Sequence, residues 1–363
     1  MPGMNQSRIK MFRRCQKQYS FRYDYAGEEG KELVPKRSKV QLRRGTWLHA
    51  LQQQHNIEWA CASGFKKKIP KELRKRTWQD VHADFEEEYD GMFDEEKEEY
   101  GDLPTECWRL FKGYLRFWKD EAEQYMVAPL RDGQPAIEFL VRYPLPKVGR
   151  DYPFKGRLDL MVEDVEYGGL WIRDAKWVKK IPDDDERMMS PQNCMYVWAA
   201  RKMGYDVRGF IYDYGRTKAP TVPRQLKNGT LSQAQRMDTD YYTYLWAIKE
   251  LHGDMWKDYA KAYYREKLLQ LRDREVLWYR RERIPVEDDK IRQALLEFLV
   301  SVRDIQRRSR HAPRSYFYNC RWGCEYHSLC TAEFAGLDID PLIKADYTTE
   351  DERYGKEPDL LAD

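Results

Sequence analysis

Long hydrophobic runs are missing from this chain. Its 363 residues contain no stretch of 18 apolar side chains, and a mean hydropathy of −0.88 points away from a helical membrane span and toward a soluble protein. Cysteine is scarce as well. Seven residues, an odd number, exclude a secreted disulfide framework, and with no segment of signal-peptide character before them they suit a reducing cytoplasm. Neither an internal repeat nor a low-complexity tract is present. There is also no large excess of charge of one sign, since the net value is +3.

The charge that is there is unevenly placed. Between Glu333 and Asp363 ten acidic residues outnumber three basic ones, leaving +10 on residues 1–332. Basic side chains gather at Lys36 to Arg44, at Lys66 to Arg76 and around Arg280, Arg281 and Arg283. Such groups neutralise phosphates without reading sequence. A solvated charged face accounts for most of them, but the last three sit on a strand predicted over Val276 to Ile284 that interleaves them with Trp278 and Tyr279. Contact with DNA is expected there. Aromatic residues make up 14 per cent of the chain; most belong to the core, and some are available as stacking platforms for single strands.

Three short stretches carry the chemistry: Gly156-Arg157-Leu158-Asp159, Asp174-Ala175-Lys176 and Gln192-Asn193-Cys194-Met195-Tyr196. Alternation from Gly156 to Glu163 sets Leu158, Leu160 and Val162 opposite Asp159, Met161 and Glu163, and a second strand from Leu170 to Trp177 puts Asp174 and Lys176 on one face. Together they read as a hairpin. A two-residue turn at Gly168-Gly169 would leave Asp174 four residues from Asp159, roughly 13 Å along the strand, too far for shared coordination. A connection of four to six residues ending at Gly169 brings the two carboxylates together, and that is the turn expected. Two carboxylates can hold a hard divalent cation, with a lysine facing the same site. Phosphodiester hydrolysis is the chemistry implied.

The third stretch lies on a helix. Ser190 suits the N-cap, Pro191 the first helical position and Gly204 the position past the end of Gln192 to Met203. Gln192 and Tyr196, four apart, share a face; by themselves they read as ordinary packing and polar residues, and their place after the hairpin gives them a functional reading.

GRLD, DAK and QNCMY in this order resemble the RecB-type branch of the PD-(D/E)XK nuclease superfamily, with its GxxD strand, (D/E)xK strand and QxxxY helix. Gly45-Thr46-Trp47-Leu48-His49 is similar to that branch's upstream G-x-x-x-H helix. The resemblance implies a restriction-endonuclease-like α/β fold, a central mixed sheet flanked by helices. It also implies a metal-dependent DNA exonuclease acting at DNA ends in recombination, repair or replication. Asp159 and Asp174 would then hold Mg²⁺ or Mn²⁺, with His49 and the backbone carbonyl of Ala175 completing the ligands. Lys176 would orient or help deprotonate water, while Gln192 and Tyr196 position the strand. Glu138, on a strand before the hairpin, ranks below these. A DNA-end scaffold without turnover and a structure-selective endonuclease stay open as alternatives. The substrate expected is DNA with a single-stranded end, with a helicase or recombination partner; no P-loop is present, so helicase activity must come from that partner.

Cys320, Cys324 and Cys330 form C-x3-C-x5-C near one end, and Cys15 lies near the other. In relatives such as AddB and CRISPR-associated RecB-like exonucleases, one N-terminal and three C-terminal cysteines hold a [4Fe-4S] cluster, which the resemblance carries to these four. The first gap here is three residues where two is commoner. His327 leaves structural Zn²⁺ as an alternative. Cys61, Cys107 and Cys194 read as packed residues.

One nuclease domain is expected over residues 1–345, comprising an iron-sulfur region (Cys15 with 310–335), helical parts at 45–130 and 232–308 and a catalytic sheet at 136–214. Helices are predicted over His49 to Ala62, Lys71 to Tyr100, Cys107 to Tyr125, Ser232 to Leu251, Trp256 to Arg272 and Glu287 to Arg308. The sheet strands are Ala136 to Tyr143, Arg157 to Val165, Leu170 to Trp177 and Val207 to Tyr214. Residues 346–363 are expected to form an acidic, disordered tail.

Overall fold

Two apolar faces of one sheet organise the chain. This computed structural model describes residues 3–25, 32–37, 39–148, 152–183, 185, 189–218, 220–274, 278–309, 311–316 and 320–350. In chain order its strands are β1 (Leu33–Pro35), β2 (Tyr125–Val127), β3 (Ile137–Pro144), β4 (Pro153–Asp164), β5 (Leu170–Val178), β6 (Val207–Arg216), β7 (Tyr279–Pro285) and β8 (Tyr347–Thr349). β2, β4, β5, β6 and β7 are neighbours in that order, and β3 adds to β4. The β5–β6 pair is parallel and the other pairs antiparallel. The expected mixed α/β sheet is therefore present, with β2 and β7 added.

Helix α1 (Gln6–Arg14) and the helices Pro191–Lys202 and Asp288–Arg307 cover one face, around Phe154, Ile172, Met195, Phe210 and Phe298. Following α2 (Gln16–Asp24), α3 (Val40–Ala62) covers the other face. Its Trp47, Leu48 and Leu51 pack with Leu110 and Phe111 of helix Leu103–Phe117, and its Ile57 and Ala60 pack on Leu160, Val162 and Trp171. Each large side chain buried in this way contributes about 1.5–3 kcal/mol. Among the described residues no helix is long and apolar enough to cross a membrane.

Several predicted helices are shorter than their periodicity suggests, because local capping wins. The span Lys71 to Tyr100 breaks at Thr77, whose hydroxyl and Asp80 form a reciprocal capping box that starts helix Trp78–Asp90. The helix predicted from Ser232 begins only at Tyr241, where the Asp240 side chain accepts from Thr243 N at 2.7 Å; Asp and Thr in the preceding residues favour caps over helix interiors. Cys107 to Tyr125 gives way at its end to β2, and Trp256 to Arg272 divides at Tyr263. The strand predicted from Val276 starts at Tyr279, with residues 275–277 outside the described set.

Segments early and late among the described residues meet. β8, inside the region expected to be a disordered tail, pairs with β1, and Tyr326 donates to the Leu33 carbonyl at 2.5 Å. Phe21, Leu33, Tyr326, Leu329 and Tyr347 form a small core there. Residues 351–363 lie outside the described set.

Candidate functional site

The connection between β4 and β5 has five residues, Val165 to Gly169, as expected. Asp164 starts it by accepting from the backbone N–H groups of Glu166 and Tyr167 at 3.0 and 2.9 Å. Gly168 and Gly169 close it with φ of 66° and 78°, values that residues with a Cβ rarely adopt. Pairing runs from Glu163↔Leu170 to Leu160↔Arg173 and stops. Beyond that point β4 stays with β3 and β5 with β6, so the strands fork.

Asp159 and Asp174 are the next residues in register, at the mouth of the fork. The Ala175 N–H, with no β4 backbone to meet, donates to Asp159 Oδ2 at 2.7 Å. Left unsatisfied it would cost about 1–3 kcal/mol. Leu158 packs with one core and Leu160 and Val162 with the other, so the strict alternation expected through Asp159 breaks here as β4 turns away.

α3 brings His49 Nε2 to 3.2 Å from Asp159 Oδ2. Burial disfavours the imidazolium, but Asp159, then Glu138 and Asp174, outweigh it and raise His49 to about 9. Burial likewise opposes the Asp159 carboxylate, yet His49, Lys176 and the Ala175 N–H hold it below its ordinary range. Asp174 goes the other way. Burial, reinforced by Asp159, pushes it up to about 6 even though Lys176 is ion-paired to its Oδ2. Burial opposes the Lys176 charge too, and the two aspartates overcome it, holding the ammonium above the usual lysine range.

Glu138, which ranks below the others by sequence, lies at the same place. It lies on β3 between the pairs Ile137↔Leu160 and Phe139↔Leu158, opposite Asp159. Its φ is 49°, a conformation that costs a non-glycine residue about 1–3 kcal/mol and persists when the surroundings over-determine it. Ligand atoms of His49, Glu138 and Asp159 lie within 4.8 Å of one another, the one such group among the described residues. A nitrogen with carboxylate oxygens suits a divalent cation. The signal available in the sequence was a single carboxylate inside the apolar run Ile137 to Val141.

Helix Pro191–Lys202 has Ser190 at its N-cap and Pro191 in its first turn, as expected, and Gly204 follows it with φ of 89°. The Ser190 hydroxyl bonds Tyr212 instead of the helix N-terminus. Tyr196 is next to Asp174 and Lys176: burial first, then Asp174, raises its phenol well above the usual range, and Gln192 hydrogen-bonds it. A Cβ on Gly156 would run into the Tyr196 ring. The glycine of the first stretch and the tyrosine of the third are therefore packing partners.

The β7 arginines are placed differently from expectation. The Arg281 side chain is 3% exposed, pairing with Asp213 at 3.1 Å and Glu121 at 3.0 Å. Arg173 is ion-paired to Glu121 and lies 3.5 Å from Asp213, while Tyr114 donates to Asp213 at 2.7 Å. This is a buried, balanced network of two arginines and two acids, and its Arg281 is not available to DNA. Arg283 pairs with Asp164 at 2.7 Å and lies over the Tyr125 and Tyr167 rings. Arg280 is ion-paired to Glu282.

Cys15, Cys320, Cys324 and Cys330 line one cavity of about 160 Å³, with His327 on the same wall. None is in a disulfide. Among the described residues no three of their sulfur atoms lie within 4.8 Å of one another. Burial pushes the Cys324 thiol up. Cys107 and Cys194 are buried, as expected of packing residues, and Cys61 is partly so.

A comparison with curated protein sequences finds no match. The family model of the PD-(D/E)XK nuclease superfamily matches residues 4–331. That span begins just before α1, takes in the forked hairpin and its flanking helices, and ends beyond Cys330, covering most of the chain. By this match the chain belongs to the PD-(D/E)XK nuclease superfamily.

Proposed function

We propose that the chain is a divalent-metal-dependent DNA exonuclease of the RecB-like branch, acting at DNA ends in recombination, repair or replication. The observation that carries this reading is the fork, where Asp159 is held between His49 at 3.2 Å and Ala175 N at 2.7 Å, with Glu138 and Asp174 on the strands to either side. His49, Glu138 and Asp159 would hold Mg²⁺ or Mn²⁺, with Asp174 and the Ala175 carbonyl as the further ligands. Bound there, the cation supplies Lewis acidity toward a phosphoryl oxygen and the attacking water.

The chain's own groups do the rest. Lys176, kept as an ammonium by Asp174, offers a fixed positive charge and a hydrogen-bond donor where negative charge grows on the phosphorane-like transition state. That protonation favours orienting the water over deprotonating it. Tyr196, seated against Gly156, and Gln192 beside it position the strand to be cut. Arg280 and Arg283 remain in this proposal only as rim contacts to phosphate, and DNA with a single-stranded end, delivered by a helicase partner in the cytoplasm, remains the expected substrate.

A [4Fe-4S] cluster on Cys15, Cys320, Cys324 and Cys330 belongs to the same proposal. Tetrahedral zinc with bonds of about 2.3 Å needs sulfurs roughly 3.8 Å apart. That all four thiols line one cavity supports a group held by them in common, and His327 in the same lining is what the zinc alternative would use. Brown colour with broad visible absorption after anaerobic purification tests it; colourless protein with stoichiometric zinc would sink it.

Linear DNA labelled at either end, set beside covalently closed circles in Mg²⁺ or Mn²⁺, tests the activity. Linear DNA should be degraded from an end and circles spared, and Asp174→Ala or Lys176→Ala should abolish cleavage while leaving DNA binding intact. Cut circles would make the protein an endonuclease. Binding without turnover would make it an end-binding scaffold. Full cleavage by either variant would remove the site assignment.

A further inference from the structure

Helix α3 meets the fork through His49 and, one turn later, enters the buried charge network through Gln52. The Gln52 side chain is buried with its whole amide engaged. Nε2 donates to the Tyr114 hydroxyl at 2.9 Å and to Asp213 Oδ2 at 3.3 Å, and Oε1 accepts from Trp177 Nε1 at 3.1 Å. The partners determine which way the amide points. Reversed, it would set its oxygen against a carboxylate and its NH₂ against the indole N–H, pairing acceptor with acceptor and donor with donor.

Those partners belong to the strands that carry the chemistry. Trp177 follows Lys176 on β5, and Asp213 pairs with Ala175 across β5–β6. The indole itself has little freedom, because it lies against Gly215, where any Cβ would collide with its ring. Arg281 and Arg173 hold Asp213 in turn. Thus one amide joins the helix of His49 to Trp177, next to Lys176 on β5, and to Asp213 on the neighbouring β6.

We infer that Gln52 is a positioning residue, fixing the register of α3 on β5 and so setting where His49 meets Asp159; this role rests on the metal-site reading above. A helix advances about 1.5 Å per residue, so a slip of even a fraction of a residue breaks the 3.2 Å contact of His49 with Asp159. Groups that orient metal ligands typically change affinity by about 10–100-fold when removed.

The test is Mn²⁺ binding to the metal-free full chain, followed by electron paramagnetic resonance. Gln52→Met keeps length without the amide, and Trp177→Phe removes only the indole N–H and its ring edge. Both should raise the Kd for Mn²⁺ by about 10-fold or more, with cleavage recovered by excess Mn²⁺. Asn56→Leu is the control, since it removes the 3.1 Å hydrogen bond from Arg173 to the same helix further from the site. It should lower the melting temperature and leave the Kd within about twofold of wild type, a small fraction of the loss seen on removing an orienting group. His49→Ala sets the full loss. Folded Gln52→Met and Trp177→Phe proteins that bind Mn²⁺ as tightly as wild type, while His49→Ala does not, would overturn the positioning role alone. Equal weakening by Asn56→Leu would also overturn it, by reducing it to general stability. If His49→Ala binds Mn²⁺ normally, the metal-site reading fails, and Gln52 loses its role with it.

Discussion

Arg281 separates a surface reading from a buried one, and Arg281→Ala decides between them. Truncation removes ion pairs at 3.1 Å to Asp213 and 3.0 Å to Glu121, a 2.9 Å hydrogen bond to Tyr114, and a guanidinium lying 4.0 Å from the Trp118 ring centroid. Among the described residues Arg173 would then be the one arginine facing two buried carboxylates, with His55 3.8 Å from Glu121. Breaking a buried pair from one side costs about 3–5 kcal/mol. With unfolding entropy scaling at about 2.1 cal/mol/K per residue, that loss lowers the Tm by about 4–7 °C for a chain of this length. An arginine on the surface would behave otherwise: its removal would change stability by at most about 0.5 kcal/mol and reduce the salt slope of DNA binding by about one. Urea denaturation read by circular dichroism, together with DNA affinity measured across a salt series, gives both numbers. A wild-type unfolding midpoint combined with a shallower salt slope would refute the buried network and restore the DNA contact. Arg281→Met with Asp213→Leu should regain part of the loss, since apolar replacement of a whole buried pair is often neutral.

The same network predicts an acid limb. Burial opposes the Glu121 carboxylate, but Arg173 and Arg281 hold it well below its ordinary value of 4.5, so its contribution is whole above about that pH and lost as pH falls further; urea midpoints from about pH 3 to 7 should show this decline in wild type and a flatter one in Arg281→Ala, and parallel profiles would contradict it. Gly156→Ala drives a Cβ into the Tyr196 ring, which Phe154 and Phe210 flank. It should cost about 1–3 kcal/mol and slow cleavage more than stability explains, whereas wild-type turnover would show that Tyr196 does not need that seat. Cys15→Ser should lose the brown colour yet still melt cooperatively, because β1–β8 and the 2.5 Å Lys17–Glu333 ion pair hold the early and late segments together independently. Retained colour would remove Cys15 from the ligand set and turn attention to His327.

What could be read in the sequence was local or countable. The distance between Asp159 and Asp174 depended on loop length alone, and five residues of connection set them in register. The helix bearing Gln192 and Tyr196 was marked by Ser190, Pro191 and Gly204. For Arg281 the pattern misleads, because an arginine just after Trp278-Tyr279 on an edge strand reads the same whether it faces solvent or core. Its partner Glu121 is 160 residues away, a pairing that periodicity cannot express. Glu138 is hard to rank for a related reason: its place opposite Asp159 depends on a left-handed backbone step that neither β-propensity nor alternation announces. The predicted continuity of the helix from Ser232 failed because Asp240 caps more strongly than the upstream residues propagate.

β5 joins these two kinds of information on alternate residues. Asp174 and Lys176 face the core of helix Pro191–Lys202, and Arg173 and Trp177 face α3. A slip of one residue would exchange the faces, bringing Arg173 to the fork beside Asp159 and thrusting Asp174 toward Glu121 and Asp213. Three carboxylates would then share a buried site with Arg281 as their remaining arginine, a mismatch larger than the loss of one partner, which already costs about 3–5 kcal/mol. Apolar packing opposes the same slip, since Ile172 and the larger Trp171 would trade cores, overpacking one and leaving a cavity in the other at about 1–5 kcal/mol each. A buried ion network is weak evidence of net stability. Here its charges discriminate between registers, which places the residues of β5 more sharply than hydrophobic contacts alone.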